Sequence, residues 1–136
     1  MRIITFGTMK LQSVIVVLIA FAALSFRTAT GPSLHFDETK HNFGFIRKGE
    51  IVTHEYTFTN NGDAPVVISE CEVACECTKV EFPKEPIMPK AAGKIKVTFD
   101  SKSAMDRQER TVIVKSNAVN SPVTLIFKCV VLKPKN

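Results

Sequence analysis

The stretch from Glu55 to Thr78, EYTFTNNGDAPVVISECEVACECT, limits what this chain can fold into more than any other. Tyr56 and Phe58 alternate with Thr57 and Thr59, the period of two that a half-buried strand requires. Asn60-Asn61-Gly62-Asp63-Ala64-Pro65 is dense in residues that tolerate positive φ or bond their own backbone, so the chain reverses there. Val66, Val67 and Ile68 resume an apolar, β-branched run, and Cys71, Cys75 and Cys77 follow it.

The same alternation recurs along the chain. Leu34 to Asp37 and His41 to Ile46 read as strands, and Ile51 to Thr59 as a third with Val52, His54, Tyr56 and Phe58 on one face. Pro65 to Cys71 and Ala74 to Phe82 follow, until Pro83-Lys84-Glu85-Pro86 breaks the pattern. Ile87-Met88-Pro89 is at most an edge. Lys94 to Asp100 alternates most cleanly, with Ile95, Val97 and Phe99 inward, and Gln108 to Lys115 and Pro122 to Leu132 complete the set. No apolar stripe recurs at helical spacing after the first thirty residues. Seven or eight short strands between turn signals predict an all-β, antiparallel immunoglobulin-like sandwich. The chain has no Trp, so the tryptophan that packs on the inter-sheet bridge of antibody domains is missing. Phe36, Phe43, Phe45, Phe58, Phe82, Phe99 and Phe127 are expected to fill the core.

Residues 1–30 read as a leader preceding one domain over 31–136. Arg2 and Lys10 precede an uncharged, apolar run from Leu11 to Phe26, and Arg27-Thr28-Ala29-Thr30-Gly31 follows. This is the layout of a secretory signal peptide, with Ala23 and Ser25 placing cleavage after Ser25 and Met9-Lys10 offering a second start. The rival reading is an uncleaved anchor, although sixteen residues fall short of the ~20 a spanning helix needs. No cysteine ends the run to take a lipid. Loss of Arg2, Lys10 and Arg27 would lower the net charge from +5 to +2, and Lys and Glu are interspersed thereafter. Nucleic acid is therefore excluded as a partner, and a membrane enters only if the leader is retained. The expected location is periplasmic or secreted, where four cysteines tend to pair.

Several motifs taken in order carry a resemblance. They are His41-Asn42-Phe43-Gly44, Gly49-Glu50, Phe58 to Pro65, Cys75-Glu76-Cys77-Thr78, Pro83 to Ile87 and Gly93 to Ser101. Residues 36–101 closely resemble the bacterial domain-of-unknown-function family 1573, exported Ig-like domains akin to Hydin-like sandwiches. The resemblance implies an exported sandwich with no established activity. Three departures stand out: Glu76 replaces the Gly usual between the two cysteines, Lys90-Ala91-Ala92-Gly93 lacks the first Gly of its turn, and Cys71 and Cys129 are extra.

On the strand reading, Thr78, Val80 and Phe82 point inward and Cys75 and Cys77 outward, while Cys129 shares a buried face with Leu125 and Phe127. Four cysteines allow three full pairings. The most economical joins Cys71 to Cys129, the pair extra to the family, and leaves Cys75 and Cys77 as a local unit. The alternative is an unpaired Cys129 in the core. Cys75 and Cys77 have three readings: a structural staple, a strained and reducible bridge, or two thiolates that clasp Cu(I) or Zn²⁺ with Cys71 as a third soft ligand. His35, His41 and His54 show no helpful metal spacing; His54 reads as a core histidine and His41 as a turn or capping residue. No nucleophile stands beside a base, no carboxylate pair has a catalytic setting, and no loop cradles phosphate. No cofactor is expected. The sequence predicts a non-catalytic envelope module that contacts a protein or glycan through loops or a sheet edge, with the cysteine loop as the competing site.

Overall fold

The computed structural model describes residues 30–134. The leader, with its cleavage site or anchor, lies outside the described residues apart from Thr30. Eight strands follow: β1 (Leu34–Phe36), β2 (Lys40–Arg47), β3 (Ile51–Asn60), β4 (Ile68–Val73), β5 (Thr78–Glu81), β6 (Ala92–Asp100), β7 (Asp106–Ser116) and β8 (Val123–Leu132). They form two four-stranded sheets, ordered β1-β3-β6-β5 and β2-β8-β7-β4. The expected sandwich is present. Pairing is antiparallel except between β2 and β8, which run parallel; the two lie far apart in the chain, so no hairpin dictates their direction. Among the described residues no helix is long and apolar enough to cross a membrane.

Alternation supplies the core. Ile95, Val97 and Phe99 from β6, with Tyr56 and Phe58 beside them on β3, share one buried core with Leu125, Phe127, Cys129 and Val131 from β8 in the other sheet. Each such side chain stabilises the sandwich by ~1.5–3 kcal/mol through apolar area removed from water. The reversal at the end of β3 is held by Asn60, which is fully buried. Its Oδ1 accepts from the Gly62 and Ser33 amides at 2.9 and 3.3 Å, and its Nδ2 donates to the Ala64 and Ile87 carbonyls at 2.8 and 2.9 Å. Gly62 is required there, because a Cβ would lie 2.0 Å from the Gly31 carbonyl oxygen.

Phe45 departs from expectation: it is 74% exposed rather than core. The cause is a bulge. Asn42 pairs with Lys128 and Phe45 with Val130, so β2 spends one residue more than β8 across this interval. Gly44 takes φ +71°, and its amide donates to Asn42 Oδ1 at 2.9 Å. The extra residue leaves His41 and Phe43 facing inward and turns Phe45 outward. Strain falls elsewhere than at Glu76, which has no positive φ; in the Lys90-Ala91-Ala92-Gly93 turn it is Lys90 that sits at φ +68°.

Candidate functional site

Three places bear on function, and the cysteine loop is the one singled out by the sequence. The strand expected from Ala74 begins only at Thr78, because the Thr78 amide donates to the Cys75 carbonyl at 3.1 Å and closes a turn. The turn draws Cys75 and Cys77 to a Cα separation of 5.2 Å, and a disulfide joins them. Both are half-buried rather than pointing cleanly outward, and Cys77 packs against the core. An open hollow of about 640 Å³ beside the bridge is walled by Ile51, Glu76, Lys79, Asp100 and Lys102. As it stands, the loop can accept an attacking thiolate at sulfur, but neither sulfur is free to ligate a metal.

Cys71 and Cys129 are both thiols, which corrects the economical pairing. Both lie in the same sheet, with β7 between their strands. Cys71 stands opposite Val114 and Cys129 opposite Gln108, six residues apart on β7. That offset alone is ~20 Å at strand rise, far beyond the ~7 Å limit for a bridge. Burial pushes the Cys71 thiol up to about 11, with Glu70 adding to the rise and Lys84 opposing it, so little thiolate forms at neutral pH. Burial likewise raises Cys129, against the pull of Arg110.

Sequence reasoning missed the second place. His41 lies within β2, not at a turn, and β2 and β3 belong to opposite sheets, so the inward faces of these consecutive strands oppose each other. His41 and His54 stack across the interior with ring centroids 3.5 Å apart and planes within 8°. Glu38, in the β1–β2 connection, places one carboxylate oxygen 2.5 Å from His54 Nε2 and 3.8 Å from His41 Nδ1. Phe43 meets the His41 ring edge-on at 4.7 Å, and Tyr56 meets His54 at 4.8 Å. The Tyr56 hydroxyl donates to the Ile126 carbonyl at 2.9 Å, and the Ile126 amide donates to the Thr39 carbonyl at 2.8 Å, which ties the Glu38 segment to β8. Burial, and then the charge His54 can carry, hold His41 below its ordinary value of 6.5, while Glu38 pulls the other way. Burial also pushes the Tyr56 phenol up to about 12, so it stays a donor. The signal available was modest: His54 shares the inward face of Tyr56, and His41 precedes Phe43 by two.

The third place is the outer face of the β2-β8-β7 sheet. Phe45 lies beside Val130, which lies beside Arg107, and Arg47 lies beside Leu132. Phe45 and Leu132 are exposed, and neither arginine forms an ion pair among the described residues. The sheet edges are poor templates for an added strand: β1 and β5 have only three and four residues, and β2 and β4 carry register shifts.

Comparison with known proteins bears on the fold. No curated protein matches. A protein of unknown function from Porphyromonas gingivalis superposes with a TM-score of 0.67 at 12% identity, covering 78% of this chain and 50% of that one. The secreted serine protease VesC from Vibrio cholerae gives 0.60 at 18% identity, over 76% of this chain and 24% of its own. The ASH / PapD-like domain 7 of human CEP192 gives 0.58 at 10% identity, over 76% and 87%. The chain thus spans half or less of the first two. At these identities the likeness establishes a shared sandwich and nothing of activity. The family described as "Protein of unknown function (DUF1573)" matches residues 34–131, and the chain belongs to that family.

Proposed function

We propose that this domain is a non-catalytic binding module of the cell envelope, periplasmic or secreted, delivered by the leader in residues 1–30. Its contact surface is the outer face around Phe45, and its partner is a protein with an apolar patch bordered by acidic groups. The observation that carries this reading is Phe45, 74% exposed at the bulge of an edge strand. Phe45, Val130 and Leu132 offer apolar area, and Arg47 and Arg107 flank it without acidic partners of their own among the described residues. An aromatic and arginines in one patch are the residue types that dominate interface energetics. The blunted edges favour this face over strand addition, and the open loops are left as secondary contacts. The non-catalytic reading rests on the sequence, where no nucleophile is set beside a base.

The test is a pull-down from envelope extract with the native domain, Phe45→Glu, Arg107→Glu and the control Val119→Glu, which alters an exposed apolar residue in the β7–β8 connection. The reading expects a defined partner retained by the native and control domains, weakened by salt, and lost with Phe45→Glu at unchanged melting temperature. Equal capture by all four would refute it.

A further inference from the structure

Glu38, His41 and His54 share no residue with the Phe45 face, and they come from two segments of the chain, Glu38 and His41 three residues apart and His54 on the strand that faces them. We propose that these three side chains bind one divalent transition-metal ion of the zinc class, with a fourth position left open to solvent. The observation is convergence. Two imidazoles from opposite sheets direct a nitrogen at the same carboxylate oxygen, and the three ligand atoms all lie within 4.8 Å of one another.

The donor set selects the ion. Two imidazole nitrogens and one carboxylate oxygen suit zinc and its first-row neighbours, whereas calcium and magnesium demand oxygen throughout and Cu(I) prefers sulfur. Three protein ligands and an open place form the coordination of reactive or exchanging sites rather than of closed structural ones. Ligand atoms ~2.0–2.1 Å from a tetrahedral ion lie ~3.3 Å from each other. The Glu38–His54 contact at 2.5 Å must open by ~0.8 Å and the Glu38–His41 contact at 3.8 Å close by ~0.5 Å to reach that spacing. Rotation of the Glu38 side chain supplies both, because it is the most exposed of the three. The rings are stacked at 3.5 Å with planes within 8°, so ligation requires the stack to open, with His41 and His54 turning until each ring plane contains the ion while Phe43 and Tyr56 stay edge-on beside them. All three side chains are partly exposed, Glu38 most of all, so solvent reaches the cluster.

Zn²⁺ is titrated calorimetrically into the full chain after chelator treatment, at pH 7.5, for the native protein, Glu38→Gln, His54→Asn and Cys71→Ala. One equivalent is expected, with unchanged affinity for Cys71→Ala. Loss of a direct ligand should weaken binding at least as much as loss of a supporting group, so by about tenfold or more for Glu38→Gln and His54→Asn. Melting curves accompany each variant. Should His54→Asn fail to fold, the exposed Glu38→Gln carries the comparison. The visible spectrum of the native protein with Co²⁺ gives an independent reading, since low-symmetry nitrogen–oxygen ligation produces strong visible bands without sulfur charge-transfer. No saturable binding, binding that survives in Glu38→Gln and His54→Asn, or a sulfur charge-transfer band would each overturn the proposal.

Discussion

The cysteine loop and the histidine cluster are built in opposite ways from similar raw material. Cys75 and Cys77 are two residues apart, meet through a local turn and close on each other. His41 and His54 are thirteen residues apart and meet only because β2 and β3 enter different sheets. The loop is closed by a contact within four residues, whereas the cluster needs two strands from opposite sheets to face each other. A local device can be conspicuous in sequence and still saturate its own chemistry, whereas a device assembled by tertiary structure keeps its ligand atoms available.

The comparison predicts unequal dependence on the fold, and the largest effect belongs to the cluster. Phe43 packs edge-on against His41, His54 and Phe127 from a half-buried position. Phe43→Ala should cost about 2–3 kcal/mol, below the range for a fully buried Phe, and lower the melting temperature by ~10–20 °C. Urea denaturation measures it. A loss under ~1 kcal/mol would mean that the two sheets do not depend on this contact for their closure.

The loop should matter less. A bridge between residues two apart removes little freedom from the unfolded chain, and loop-closure entropy for so small a ring gives ~1.5 kcal/mol at most. Cys75→Ser/Cys77→Ser should therefore shift the urea midpoint by less than Phe43→Ala does, and the native protein in excess reductant should match it. The reverse order would break the comparison and make the loop the domain's principal staple.

Most of the fold was legible because alternation is a local property. Lys94 to Asp100 and the last strand could be assigned face by face, and Cys129 is buried where its neighbours Phe127 and Val131 placed it. Phe45 was misplaced because one extra residue inverts every later side chain in a strand, and nothing in the spacing of Phe43 and Phe45 announces a bulge. The Asn42–Gly44 pair was its trace, an Asx contact with a residue free to take positive φ. The cysteine pairing failed for a different reason. Faces could be read for single strands, but the offset between Cys71 and Cys129 depends on the register of β4 and β8 against β7, which is set by tertiary packing. The histidine cluster is harder still, since consecutive strands are expected to pair and these two face each other across the core.

The smallest effect separates the two regions by proton linkage. Bridged cysteines do not titrate, so the loop's own sulfurs contribute nothing between pH 5 and 8. His41 does, because burial and the facing His54 on β3 hold it below 6.5 in the folded state, and Glu38 in the β1–β2 connection only partly offsets them. The unfolded chain therefore binds the proton more readily. The stability this supplies is complete above the unfolded value of 6.5 and is lost as pH falls through the lowered folded value. Urea midpoints of the native protein and His41→Asn, taken in chelator at pH 7.5, 6.5 and 5.5, report that contribution together with its coupling to His54 and Glu38, since the remaining titrating groups enter both curves. The native midpoint should fall further than that of His41→Asn over this range. Parallel curves would mean that His41 accepts its proton in the folded protein without penalty, and that the stacked pair is loose enough to part.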